Sequence, residues 1–320
     1  GIIGAGSIAG TMAGTIREMD CAQNYAVAAR DYGRAAEFAQ TYGFEKAYGS
    51  YEELVEDAGV ELVYIATPHS HHYEHIKLCL NHGKHVLCEK SFTVNESQAR
   101  EVLALAREKK LLLTEAIWTR YMPMRKTLDS VLSSGVIGRP YMLTANLGYI
   151  ISGKERIMRP ELAGGALLDV GIYPLNFASM VFGDEVDSIT GTAVMTETGV
   201  DAQNSITITY KDGKMAALCS SAMGLSDRRG IIYGDNGFIE VENINNCEGI
   251  RVYDRSRNMI ASYDTPKQIS GYEYEVEACL RAIKEGALEC PEMPHEETLR
   301  MMGWMDELRR QWGLVYPMER

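Results

Sequence analysis

The sequence contains no Cys-x-x-Cys pair. Its seven cysteines, Cys21, Cys79, Cys88, Cys219, Cys247, Cys279 and Cys290, are odd in number and scattered along 320 residues. That pattern excludes a disulfide framework and fits reduced thiols of a cytoplasmic protein. Each thiol is expected to be a small apolar packing residue. Basic charge is also in deficit, with 32 Lys and Arg against 44 Asp and Glu and a net charge of −12. A nucleic-acid partner is thereby excluded as an expectation, and an anionic membrane surface is disfavoured. No apolar run approaches the roughly 20 residues that span a bilayer. No signal peptide, internal repeat or low-complexity linker stands out. The chain opens on Gly1-Ile2-Ile3-Gly4, which reads as the end of a strand, so native residues are expected ahead of it.

What is present is ordinary globular material, 46% hydrophobic and 24% charged, enough for about two domains. Over the first 115 residues two periods alternate. Short β-rich runs fall at Gly1–Gly4, Tyr25–Arg30, Leu62–Ala66, His85–Cys88 and Leu111–Thr114. Helical patterns lie between them, at Ile8–Met19, Arg34–Thr41, Tyr51–Glu56, His72–Asn81 and Glu96–Glu108. Strand and helix in strict alternation predict a doubly wound parallel sheet. Ser50 with Glu53 has capping-box spacing, Asn95 suits a helix start, and Asn81-His82-Gly83 suits a helix stop.

Past Trp118 the character changes. One helix is expected over Pro123–Ser133 and another over Ala166–Phe182. Strands are expected at Tyr141–Leu147, Ser188–Met195, Ser205–Tyr210, Met215–Ser221, Gly230–Tyr233, Phe238–Val241 and Ile250–Tyr253. Turn signals at Lys211-Asp212-Gly213 and Asp235-Asn236-Gly237 separate them. Two helices, Tyr272–Lys284 and Glu296–Gln311, close the chain. The reading is an α/β protein: a doubly wound parallel domain over 1–117, then an α+β domain over 118–320 with a large, mostly antiparallel open sheet.

Gly4-Ala5-Gly6-Ser7-Ile8-Ala9 fits G-x-G-x-x-A between a strand and a helix. Gly4 permits the turn, Gly6 admits a pyrophosphate to the backbone, and Ala9 lets helix and strand pack closely. The N–H groups around Ser7 and Ile8 meet the negative charge. NAD sites place an acidic residue at the end of the second strand. Here Arg30 stands there, with Arg34 one helical turn on, a pair suited to bracket a 2′-phosphate. The expected cofactor is NADP, with NAD possible through Asp31.

His69-Ser70-His71-His72-Tyr73-Glu74-His75 offers His71 and His75 at helical i,i+4 spacing, yet no Asp or Cys completes a tetrahedral metal set. No metal is expected. His69 and His72 are read as lining the cofactor cleft, and His71 and His75 as facing solvent.

Four stretches together carry a family signal: Gly4–Ala9, Ala66–His72, Gly83–Lys90 and Gly164–Tyr173. They resemble the glucose–fructose oxidoreductase and inositol dehydrogenase (Gfo/Idh/MocA) family across nearly the whole chain. Glu115–Arg120 and Asp169–Tyr173 are most similar to the dimeric dihydrodiol dehydrogenases. The resemblance implies metal-free, reversible hydride transfer between a nicotinamide and a secondary alcohol or carbonyl of a sugar, polyol or trans-dihydrodiol. It implies that Lys90, Tyr173 and Asp169 form the catalytic cluster, and that Thr67, Pro68, His69, His72 and Glu89 line the cofactor. It also implies a homodimer or higher homo-oligomer built through the C-terminal sheet. In one place the chain departs from the family: Glu-Lys-Pro is Glu89-Lys90-Ser91 here, and the family proline goes with a cis peptide that aims the lysine.

Chemically, an alcohol oxidation needs a positioned acid/base. Tyr173 is one carrier, with a Lys90 ammonium favouring its phenolate; Lys90 itself is the other. Asp169, four residues before Tyr173, would share its helical face. Trp118 and Arg120 are candidate substrate contacts where the domains are expected to meet, by stacking and by holding an oxygen-rich group. Simple packing is the alternative for both, and Arg156 and Arg159 are weaker loop candidates. Two rivals share the fold: a catalytically silent NAD(P)-sensing regulator and a reductase of linear tetrapyrroles.

Overall fold

The computed structural model describes all 320 residues. The chain divides into two compact units. The first is Gly1–Tyr121 together with Gln268–Met302; the second is Met122–Lys267 together with Gly303–Arg320.

The first unit alternates strand and helix as its periodicity requires: β1 (Ile2–Ile3), α1 (Ser7–Ile16), β2 (Ala26–Ala28), α2 (Tyr32–Tyr42), β3 (Lys46–Tyr48), α3 (Tyr51–Glu56), β4 (Leu62–Ile65), α4 (His69–Asn81), β5 (His85–Glu89), α5 (Glu96–Lys109) and β6 (Leu113–Ala116). All six strands are parallel, in the order β3-β2-β1-β4-β5-β6. This is the doubly wound dinucleotide-binding order, which reverses between β1 and β4. The central strands are buried on both faces, so they read as continuous Val, Ile, Leu and Ala runs. The Ser50–Glu53 capping box forms, and Asn95 caps α5. Strand β3 has no counterpart in the periodicity, because it is a three-residue edge strand with an exposed Lys46.

The second unit comprises α6 (Pro123–Ser133), β7 (Pro140–Gly148), α7 (Glu155–Met158), a π-helical stretch Leu167–Gly171 running into α8 (Ile172–Phe182), and strands β8 (Val186–Met195), β9 (Asp201–Tyr210), β10 (Met215–Ser221), β11 (Gly230–Gly234), β12 (Gly237–Glu242), β13 (Gly249–Asp254) and β14 (Met259–Asp264). Its eight strands follow the order β14-β13-β12-β11-β7-β10-β9-β8. Only β7 and β10 pair in parallel. Alternation along β9 and β10 puts Ile206, Ile208, Ala216 and Leu218 on the face under α8 and leaves Gln203, Ser205 and Cys219 on the open face. Pro160–Phe182 has the length and apolarity of a membrane span, and 89% of its most apolar window is buried. A helix that is apolar all round is a core helix here.

Two last helices, α9 (Glu273–Glu285) and α10 (His295–Trp312), end the chain's regular structure. Sequence pattern alone puts residues 118–320 into one domain. Gln268–Met302 instead belongs to the first unit. There Leu113 donates to the Leu288 carbonyl at 3.1 Å, His295 Nε2 pairs with the Leu113 carbonyl at 2.8 Å, and α9 packs on β5. These contacts finish the open edge of β6, and nothing local in the sequence announces them.

Candidate active site

The turn after β1 has the shape of a phosphate cradle. Gly4 sits at φ +100°, and a Cβ there would lie 3.0 Å from the Ala66 carbonyl oxygen. Glycine alone lets the turn pass the end of β4 so closely. A Cβ on Gly6 would meet no protein atom within 4 Å, so the backbone faces open space there. Helix α1 begins directly afterwards and no side chain caps it, which leaves the first N–H groups, from Ser7 and Ile8 onward, to a ligand. Arg30 and Arg34 are both exposed beyond the end of β2. Asp31 is not a free carboxylate for a ribose: its side chain caps α2 by accepting the Arg34 N–H at 2.8 Å. The residues present therefore fit a dinucleotide carrying an extra phosphate.

Thr67 and Pro68 are half-buried at the end of β4, and His69 starts α4 almost wholly buried. The neighbouring histidines differ from expectation. His72 is fully buried, with Nδ1 2.9 Å from the Ser91 carbonyl oxygen and Nε2 2.8 Å from that of Thr67. It ties the β4 loop to the β5 loop from within. Burial lowers its pKa to about 4. His75, expected in solvent, is buried under the edge of Tyr51 with Nδ1 3.0 Å from the Thr67 hydroxyl. At three- and four-residue spacing along α4, His72 and His75 share its inner face with Ile76 and Cys79.

Glu89 ends β5 in a buried position, where one carboxylate oxygen accepts the Tyr64 hydroxyl. Burial and the facing Glu89 charge push the Tyr64 phenol well above its ordinary range. Lys90 follows, half-buried, and the Lys90–Ser91 peptide is cis. Trp118 stacks on Tyr272 with centroids 4.3 Å apart, and Arg120 is ion-paired with Glu297. Both contacts lie inside the first unit.

In the second unit, Asp169 and Tyr173 lie one turn apart across the join of the π stretch and α8, and both are nearly buried. A π segment inside a helix often marks a functional position. Arg156 holds Asp169 with both terminal nitrogens, Nη1 to Oδ1 at 2.6 Å and Nη2 to Oδ2 at 3.4 Å. Such a fork fixes the carboxylate's plane as well as its charge. Arg156 is only a weaker loop candidate by sequence; its partner lies thirteen positions on, beyond any local spacing rule. Arg159, named beside it, pairs with Glu155 and Glu161 at the surface.

Two family models cover most of the chain. One, an oxidoreductase family with an NAD-binding Rossmann fold, matches residues 1–117; the other, the GFO/IDH/MocA C-terminal domain, matches 126–240. Human trans-1,2-dihydrobenzene-1,2-diol dehydrogenase is 35% identical over 329 residues, covering 100% of this chain and 98% of its own. The Xenopus tropicalis enzyme of that name is 35% identical over 301 residues, covering 92% and 91%. Among solved structures, KijD10, a 3-ketoreductase from Actinomadura kijaniata in complex with NADP and TDP-benzene, has a TM-score of 0.89 at 24% identity, over 97% of this chain and 96% of that one. An aldose-aldose oxidoreductase from Caulobacter crescentus has a TM-score of 0.87 at 19% identity, with the same coverage. At these identities the structural likeness speaks for the fold alone.

Proposed function

The chain belongs to the GFO/IDH/MocA oxidoreductase family, and from that premise we propose that it is an NADP-dependent dehydrogenase of trans-dihydrodiols or closely related secondary alcohols. The observation that carries the reading is the conjunction at β1 and β2. An uncapped helix start and an open Gly6 stand beside two exposed arginines where NAD sites hold an acid. The substrate class is supported by full-length similarity to the dihydrodiol dehydrogenases.

When bound, the nicotinamide supplies the hydride acceptor or donor. The chain's own residues do the rest. The N–H groups at the start of α1 hold the pyrophosphate, and Arg30 and Arg34 bracket the 2′-phosphate. Thr67, Pro68, His69 and Glu89 line the cofactor at the ends of β4 and β5, while His72 keeps their loops in register. Tyr173 takes the hydroxyl proton, and Asp169, clamped by Arg156, orients the substrate hydroxyl; Lys90, just past the end of β5, is the alternative proton carrier.

We further propose a homodimer through the open sheet face. Met142, Val194, Met215, Tyr233 and Phe238 all lie on that face, by their pairing with one another and with Gln203 and Thr209. Three of these large apolar groups, Met142, Val194 and Met215, are exposed, and apolar groups gathered on one open face suit association. Seven unpaired cysteines support work in a reducing, cytoplasmic setting.

The test is NADP⁺ reduction followed at the nicotinamide absorbance with cyclic trans-diols, aldoses and polyols, and NAD⁺ in parallel. Turnover of trans-diols with NADP⁺ is expected. Silence across the panel with tight NADPH binding would overturn the dehydrogenase reading in favour of sensing. The solution mass is expected at twice 35.6 kDa.

A further inference from the structure

We propose that Asp201 is a positioning residue for the catalytic segment, acting as a distant cap that fixes the turn from which Asp169 and Tyr173 are launched; this rests on the reading that those two residues serve hydride transfer. Asp201 opens β9, far in sequence from that turn, and is completely buried. Its Oδ2 accepts the Leu167 N–H at 2.8 Å. Leu167 is the first residue of the π stretch, so this is one of the N–H groups that a helix start leaves without an internal partner. A carboxylate at that end also meets the favourable pole of the helix.

The contact is part of a chain. Asn204 donates its amide to the same Asp201 oxygen at 2.9 Å, and Ser220 donates to Asn204 Oδ1 at 2.9 Å. Ser220 Oγ in turn lies 3.0 Å from where a Gly171 Cβ would stand. The line of polar groups therefore runs from the first residue of the π stretch to its last, with Asp169 between them. On the other side, the buried Tyr316 hydroxyl donates to the Gly164 carbonyl at 2.6 Å. Gly165, at φ +109°, completes the fit, since a Cβ there would come within 2.3 Å of Asp201 Oδ1.

This arrangement carries a cost. Burial pushes the Asp201 carboxyl up to about 6, and its Oδ1 has no hydrogen-bond partner. An amide would fill the same space with less penalty. The carboxylate differs in offering only acceptors, so it holds the Leu167 N–H without presenting a competing donor.

The test compares Asp201→Ala, Asp201→Asn and Asn204→Ala with Tyr173→Phe as control. Turnover is normalised to NADPH-binding sites, so that loss of folded protein does not enter. Hydrogen exchange is read over Leu167–Gly171. Asp201→Ala is expected to lower kcat by at least about tenfold, against the roughly 100-fold that an ångström of misplacement can cost. NADPH affinity should stay within about twofold and the Leu167–Gly171 amides should exchange faster, because the brace touches only the second unit. Asp201→Asn should recover part of the loss. Asn204→Ala, one link away, should show a smaller fall of the same kind and covers the case in which Asp201→Ala does not fold. Normalised kcat at the wild-type level in Asp201→Ala, with Tyr173→Phe impaired, overturns the proposal. Wild-type turnover in Tyr173→Phe overturns the underlying reading instead; exchange then decides alone, and unchanged Leu167–Gly171 protection in Asp201→Ala refutes the cap.

Discussion

The substitution Glu115→Gln should make the protein more resistant to alkaline destabilisation. Glu115 lies on β6 with its carboxyl fully buried. One oxygen accepts the Phe92 N–H at 3.1 Å and the other has no hydrogen-bond partner. Arg120 after β6, Thr298 on α10 and Glu89 on β5 are the polar and charged groups facing it. Burial is the largest influence and raises the pKa from 4.5 to about 7, against the opposing pull of the Phe92 bond and the Arg120 charge. The folded state thus favours the protonated form. Its stabilising contribution is full below about pH 4.5 and is lost as pH rises through about 7. A shift of that size corresponds to about 3 kcal/mol. The glutamine amide keeps an oxygen for the Phe92 N–H but has nothing to ionise. Between pH 5 and pH 8.5 the variant should therefore gain about 3 kcal/mol on the wild type. For a unit of this size that is roughly 6–12 °C in Tm. Thermal unfolding of the cofactor-free protein at both pH values, with exchange of the β5 and β6 amides as a local probe, gives the difference. A gap that does not change with pH, or that grows in favour of the wild type, refutes the argument.

Further expectations concern the site. Arg30→Ala combined with Arg34→Ala should lower the NADP-to-NAD ratio of kcat/KM by at least about tenfold, since one charge-assisted bond is worth roughly 1.5–3 kcal/mol; an unchanged ratio would remove the 2′-phosphate assignment. Tyr173→Phe should cost on the order of 10²-fold or more in kcat with little change in NADPH affinity, and near-wild-type turnover would pass the proton to Lys90. Gly165→Ala should destabilise the second unit by at least about 2 kcal/mol, read by urea unfolding, because the new Cβ meets Asp201 at a left-handed backbone angle. Tyr316→Phe should cost about 1 kcal/mol in the same assay by leaving the Gly164 carbonyl unmet.

The parts of the fold that are legible in the sequence are those set by local periodicity. Pro123–Ser133, Tyr51–Glu56 and Met215–Ser221 fall where the apolar spacing puts them. The glycine turn and the β2-end arginines are likewise visible, because a tight turn and a missing acid leave marks at fixed offsets. What stayed hidden depends on distant partners. The return of Gln268–Met302 to the first unit is one case, the Arg156–Asp169 fork another, and Asp201 a third, since an aspartate opening a strand resembles any turn residue. β14 escaped because all its residues but one are exposed and it has no buried face to impose alternation. His75 departs from the solvent-facing expectation for a related reason: the inward face of α4 is selected by the strands and helices packed on it, and local sequence does not show them.

The two-piece construction of the first unit also bears on how such chains can diversify. In sequence the second unit is an insertion, opening after Tyr121 and closing before Gln268, with a tail that resumes at Gly303. A gene fusion with a single junction near residue 120 would strand Arg120 without Glu297 and leave Leu113 without the Leu288 carbonyl. Exchanging whole C-terminal halves by one crossover would therefore damage the nucleotide-binding unit each time. A viable exchange needs two crossovers around the insert and a third within α10. Stepwise substitution inside the insert faces no such barrier, which makes it the easier route by which such chains diverge.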